Sequence, residues 1–505
     1  MKTYKPLFAM TLLAATIQAN AGVSQAEQAD ITQFLDRFHQ NPQQVMDEVP
    51  VKENYQGQAA TVVSKFSQEE IESKAYVTKK DQFKKSIVKT QKRVGYARAA
   101  SQYNDNPARL VDSGYELIRN VHTMDQQNLH SAKLDEVPWS DDYWALYKGG
   151  LGARYADRGF WNSSDWNDYW TYTNQTKTPD SYVMAGNIDD LSPSEKYDLL
   201  VGDSGYSMTA SNWNMGKSYY DRNGSVERWM GLCHGWAPAA YMLPRPKHSI
   251  VVKGANGEDI KFYPSDIKAL GTLLWAEASP GVRFIGGRCN TKNPARDENG
   301  RVKDQKCFDT NPGSWHQSVV NQLGVSKRSF IIDATYDYQV WNQPVYSYSY
   351  TYFNPETGVA YDNAKDAMIA VENYSKDKFK KYRASNAKNV VGVRMRMSYV
   401  VETSPSHREY DDSRFDGITS VRYTYDLELD KNGNIIGGEW YTNKHPDFLW
   451  TPGPNDRAMS YVTGNGEWKE GESIPQNWRS QATWMSRYSQ PLTSIVEELF
   501  KRASQ

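Results

Sequence analysis

Gly231-Leu232-Cys233-His234-Gly235-Trp236-Ala237-Pro238-Ala239-Ala240 is the stretch on which the reading of this chain turns. The 505 residues contain three cysteines, and Cys233 stands between glycines, ahead of small residues able to enter a helix. Cys289 and Cys307 are close enough in sequence to pair across a polar, charged segment, and a bridge closing a loop of that size stabilises by about 3 kcal/mol. Cys233 is then the odd thiol, and in an exported protein an odd thiol is a candidate for reactivity. A catalytic cysteine acts as a thiolate, which a helix N-terminus favours through its unpaired amides and dipole. Gly231 and Gly235 allow the backbone to approach a substrate closely, and the Cys233 amide is placed to donate to a developing oxyanion. Pro238 falls just past the first turn of such a helix and removes a hydrogen bond there.

The rest of the chain supplies an exported, globular setting. Lys2 and Lys5 precede the apolar run Pro6 to Ile17, and Ala19-Asn20-Ala21 has the small-x-small pattern of a signal-peptidase site, so residues 1–21 read as a signal peptide cleaved after Ala21. The run is too short to span a bilayer and no later stretch is longer, which predicts a secreted or periplasmic protein with no transmembrane anchor. With 59 Lys and Arg against 60 Asp and Glu, no net field draws the chain to nucleic acid. Residues 22–135 are polar and helix-prone: Phe66 and the capping box Ser67 to Glu70 open one helix, and Lys79, Lys80, Lys84, Lys85, Lys89, Lys92 and Arg93 line a basic face. They read as a mainly helical pro-region able to shield a nucleophile.

From Trp139 onward aromatic residues crowd the sequence, a pattern that serves packing or, in the alternative, sugar stacking. Ser192-Pro193-Ser194-Glu195 is a second capping box and predicts a helix from Pro193 to about Val201. A hairpin over Ser249–Val252 and Asp259–Tyr263, then a helix opened by Pro264 with Ile267, Leu270, Leu273 and Leu274 on one face, follow from their periods. Strands are predicted where Tyr346, Tyr348, Tyr350 and Tyr352 alternate with Ser and Thr, over Val391–Val401, and on both sides of the turn Asp430–Asn434. A short amphipathic helix, Leu492–Phe500, ends the chain.

A base for Cys233 is sought among the histidines. His234 is adjacent, but neighbouring side chains on a helix diverge, so it reads as a supporting group. His316 opens a predicted strand, His316–Val320, in a hairpin with Ser329–Asp333 that sets Asp333 diagonally across from it; Asp337 has the same parity. The other histidines lack metal-ligand spacing, which argues against zinc. The fold class is α+β: a helical part carries the nucleophile, and an antiparallel β part carries His316 and Asp333.

The run Cys233–Ala240, together with Phe262-Tyr263-Pro264-Ser265-Asp266-Ile267-Lys268-Ala269-Leu270, Trp315-His316 and Val340-Trp341-Asn342-Gln343-Pro344-Val345, closely resembles the transglutaminase elicitor family, over roughly residues 137–345. The resemblance implies a papain-like catalytic core over residues 136–345, completed by the β-rich residues 346–505. It also implies a calcium-dependent protein-glutamine gamma-glutamyltransferase that joins glutamine donors to lysine or other amines through a thioester. In that scheme Cys233 is the nucleophile, His316 the base and Asp333 the orienting carboxylate, with His234, Trp236 and Trp315 around them. Trp236 and Trp315 are the expected walls of an amine channel, and Asp189 and Asp190 the candidate calcium ligands. The rival readings are a papain-like cysteine peptidase or amidase with the same triad, and a non-enzymatic carbohydrate-binding or adhesion protein.

Overall fold

A computed structural model describes residues 23–54, 105–287, 291, 293–304, 307–336 and 340–505. The signal peptide, the capping box at Ser67, the basic face, Cys289 and Asp337 lie outside the described residues.

Mixed α/β architecture is built on one large antiparallel sheet, with helices covering it. The strands in chain order are β1 (Lys52–Asn54), β2 (Ser131–Lys133), β3 (Ile250–Lys253), β4 (Asp259–Phe262), β5 (Val282–Gly286), β6 (Ile331–Asp333), β7 (Asn342–Phe353), β8 (Ala360–Tyr361), β9 (Ile369–Ala370), β10 (Asn389–Val401), β11 (Gly417–Leu429), β12 (Ile435–Trp440) and β13 (Phe448–Pro452). Their order across the sheet is β1-β11-β10-β7-β6-β13-β5, with β12, β2, β8 and β9 on side pairings, while β3 and β4 form a separate hairpin. β7 joins the two halves. Its first residues pair with β6, Asn342 opposite Asp333, and its later ones pair with β10, Tyr350 opposite Met395. Tyr346, Tyr348, Tyr350 and Tyr352 are all buried, so the alternation read in the sequence faces a core.

The helices include α1 (Gln25–Gln40), α2 (Pro193–Val201), α3 (Cys233–Met242), α4 (Pro264–Glu277), α5 (Pro312–Val319) and α6 (Thr493–Ser504), of which α3 carries the candidate nucleophile. The capping box at Ser192 forms as its residues dictate, with reciprocal Ser192 and Glu195 bonds and Pro193 in the first turn. A fully buried ion pair, Lys196 Nζ to Asp266 Oδ2 at 2.7 Å, ties α2 to α4. Asp266 also accepts from the Tyr155 hydroxyl and the Tyr263 amide, so the buried carboxylate is fully engaged. α4 packs in turn against α3.

One expectation is corrected. His316 is on a helix, not a strand: Asn311 caps α5 by accepting from the Gly313 amide, Pro312 takes the first turn, and the backbone continues as a π-turn through Val325. Asn-Pro is a helix-start signal, and it outweighs the β-preference of the two valines that end His316–Val320. Without that strand there is no 316–333 hairpin; β6 pairs with β7 and β13 instead. The segment from residue 23 to 54 is also packed into the body. Phe38 of α1 stacks on Tyr441 with ring centroids 4.6 Å apart and touches Phe379, while β1 covers the edge of β11. Removing this part of the expected pro-region would uncover a strand edge and an aromatic cluster.

Gly235 shows how closely α3 and α4 approach: a Cβ there would lie 2.2 Å from the Thr272 carbonyl oxygen. The glycines around Cys233 therefore serve packing rather than substrate access; a Cβ at Gly231 would likewise meet the Tyr143 carbonyl at 2.4 Å. Gly235→Ala is expected to force the two helices apart at a cost of about 1–3 kcal/mol, as overpacking does. Urea denaturation checks it, and an unchanged midpoint would contradict the close approach.

Candidate functional site

Cys233 is the first residue of α3, with Leu232 as the N-cap and no capping side chain. Leu232 is anchored through its amide to the Tyr143 carbonyl at 2.6 Å, which fixes where the helix starts. Pro238 lies inside the helix, so the carbonyl of His234, one turn back, lacks the usual amide partner. The helix nevertheless begins at Cys233: the Gly235 and Trp236 amides donate to the Leu232 carbonyl at 2.8 and 3.0 Å, and those of Cys233 and His234 precede the first intrahelical bond.

The thiol is 7% exposed and meets the start of β7. Sγ–H donates to the Val340 carbonyl at 3.6 Å, and Sγ accepts from Asn342 Nδ2 at 3.5 Å. Asn342 Oδ1 accepts from the indole N–H of Trp450 on β13, at 2.9 Å. Beside them lies Asp333, whose Oδ1 accepts from the Trp341 amide at 3.1 Å and the Thr335 hydroxyl at 2.9 Å. Glu402 stands further along, holding the Gln343 side chain at 2.8 and 2.9 Å. Tyr143, Trp229, Met230 and Trp341 complete an apolar rim, with Tyr143 and Trp341 ring centroids 5.2 Å apart.

Burial pushes the Cys233 thiol up to about 11; the Asn342 donors pull it down, and the negative charges of Glu402 and Asp333 raise it further. The lowering expected from the helix N-terminus is thus outweighed, because a thiolate sealed from water loses more than partial charges return. At neutral pH the resting group is a protonated thiol between one acceptor and one residue's donors.

Of the residues read from the sequence, the fold brings Asp333 close enough for its charge to act on Cys233. His316 is elsewhere. Its Nδ1 shares a 2.9 Å hydrogen bond with the Tyr425 hydroxyl, and its ring packs edge-on to Tyr350, centroids 4.7 Å apart. Tyr350 is eight positions along β7 from Asn342, roughly 25 Å at the rise of an extended strand, so His316 and Cys233 do not share a site. Burial also lowers the His316 imidazole to about 3, which keeps it neutral. His234 is exposed, yet the atoms packed around its imidazole lower it to about 4 by desolvation. Trp236 and Trp315 are fully buried core residues, the former donating to the Trp139 carbonyl and the latter packed edge-on against Tyr423 and Trp440, so neither lines a channel at the thiol.

Asp189 and Asp190 form a short turn before the Ser192 cap, and the Lys261 ammonium lies 3.9 Å from Asp189. A calcium ion takes six to eight oxygens, and among the described residues no group of three or more His, Cys, Asp or Glu side chains is arranged to hold a metal. The pair does not fit the ion. Asn342, Trp450 and Glu402 were not singled out from the sequence. The signal for Asn342 was present in the motif Val340–Val345, but a motif names no partner for its members.

These features define a class: a helix-borne buried cysteine docked on the joint of an antiparallel sheet. The chain belongs to the transglutaminase elicitor family, whose profile matches residues 113–469. Among solved structures, the crystal structure of the GP42 transglutaminase from Phytophthora sojae is similar at 20% identity, covering 74% of this chain and 91% of that one with a TM-score of 0.48. No curated protein matched. Among the described residues no helix is long and apolar enough to cross a membrane.

With a thiol held near 11, alkylation of Cys233 by iodoacetamide is expected to accelerate about tenfold per pH unit from 7 to 10, since only the thiolate reacts. Mass spectrometry of the modified peptide checks it. A rate already level at pH 7 would show a thiolate in the resting protein.

Proposed function

We propose that this protein is a secreted or periplasmic transglutaminase, a cysteine-dependent acyltransferase acting on protein glutamine and on lysine or other amines. What carries the reading is membership of the family together with a free, buried thiol at a helix N-terminus, facing Asn342 and near Asp333. The division of labour is papain-like: a helix brings the nucleophile and a sheet brings the polar groups around it.

The reaction runs in two halves. Cys233 Sγ loses its proton to a carboxylate of the site, Asp333 or Glu402, and attacks the carboxamide carbon of a glutamine. The C–N bond breaks, the proton leaves with ammonia, and a thioester remains. An amine then attacks the same carbon, the C–S bond breaks and the thiol reforms. The apolar rim of Tyr143, Trp229 and Trp341 limits water, which favours aminolysis over hydrolysis. No step is routed through calcium, since among the described residues no group of three or more His, Cys, Asp or Glu side chains is arranged to hold a metal. The Cys289–Cys307 bridge and processing of the residues before 136 remain part of the proposal, the latter with the condition that residues 23–54 pack against the sheet.

Incubation with a glutamine peptide and a labelled amine tests the reading. Cys233→Ala is expected to abolish incorporation and Asp333→Asn to lower it by about 10²-fold or more, the range of a lost acid–base group. His316→Gln, which keeps a partner for Tyr425, is expected to retain most of the turnover. Peptide cleavage without amine incorporation would replace this reading with a cysteine peptidase or amidase.

A further inference from the structure

Asn342 meets the thiol with two groups: its side-chain Nδ2, 3.5 Å from Sγ, and its backbone amide, which also donates to the sulfur. The side-chain amide could be turned either way by shape alone, because its oxygen and nitrogen are nearly the same size. Chemistry decides it. The Trp450 indole carries a donor and no acceptor, so the atom it faces at 2.9 Å must be Oδ1, which leaves the NH2 toward Cys233. Turned over, the NH2 would oppose the indole N–H in a buried setting, at the cost of an unsatisfied donor. Trp450 is itself held rigidly, 9% exposed, on a strand paired on both sides, with Phe284 of β5 and with Ile331 of β6. Asn342 is 5% exposed and is paired with Asp333 across the ladder.

We infer that Trp450 is a positioning residue: it holds the Asn342 amide so that its NH2 is the standing donor to the sulfur anion of Cys233. The inference rests on Cys233 being the nucleophile. Beyond that reading it assigns the donor that a thiol crowded by two acidic groups needs, and it places the control of that donor on a third strand. The neighbouring carboxylates take the proton; Asn342 steadies the charge left behind.

The test uses the full chain and needs no substrate: the pH profile of iodoacetamide alkylation at Cys233, followed by mass spectrometry. Asn342→Asp keeps an acceptor for Trp450 and places a carboxyl against the thiol, and it is expected to move the profile up by about one pH unit or more. Trp450→Phe is expected to move it in the same direction by less, because the amide is then free to turn. In an Asn342→Ala background Trp450→Phe is expected to add nothing, since a residue acting only through Asn342 has no other route. In amine incorporation Trp450→Phe is expected to lower kcat about tenfold with KM unchanged, short of the 10²–10³ for deleting an oxyanion donor. A folded Trp450→Phe protein with the wild-type alkylation profile overturns the inference, as does additivity with Asn342→Ala. Should Trp450→Phe not fold, the benzothienyl analogue of tryptophan at position 450, which lacks only the N–H, takes its place with the same expected shift. If the profile depends on Asn342 and Trp450 but wild-type protein incorporates no amine, the transferase reading fails and the positioning role stands.

Discussion

The contact between Cys233 and Asn342 joins residues 109 positions apart and docks a helix start on a strand start. One partner is the first residue of a helix, the other the first residue of a strand. The helix is located by the Leu232 amide on the Tyr143 carbonyl and by the close seating of Gly235 against α4, which the buried Lys196–Asp266 pair ties to α2. The strand is located by pairing with β6 on one side, and by Trp450 reaching in from β13. A sulfur-to-amide distance of 3.5 Å tolerates little error in either, so the packing of both layers sets the chemistry.

Two opposing effects meet at this sulfur. The helix N-terminus and the Asn342 donors favour the anion, whereas burial and the charges of Glu402 and Asp333 favour the thiol, and burial is the largest of these. The protonated state is therefore the resting one, with its hydrogen directed at the Val340 carbonyl. Such a site stays chemically quiet in water.

Secondary structure written in local chemistry was legible. The capping box at Ser192, the Pro264 helix, the Tyr346–Tyr352 alternation, the hairpin around Asp430–Asn434 and the C-terminal helix all formed where their turn residues and periods place them. His316 falls on a helix rather than a strand because five residues ending in two valines are too short to separate the two states, and the Asn311-Pro312 cap that decides between them lies just upstream. From the wrong strand came the wrong hairpin, and from the hairpin a triad that the fold does not assemble. Asp333 was placed on a strand correctly, but its neighbour on the sheet is Asn342.

By itself the sequence determined that Cys233 stands close between glycines, that it opens a run able to form a helix, and that the motifs around it are those of the transglutaminase elicitor family. These are properties of composition, of spacing over a few residues and of motif identity, all of which act locally along the chain. Which groups face the thiol was decided only by the tertiary structure. Asn342, Trp450, Asp333 and Glu402 come from four strands or strand ends, and strand register is a matter of long-range pairing that no local pattern specifies. The same is true of its protonation: a helix start argues for a thiolate, and the depth at which that start is buried reverses the outcome.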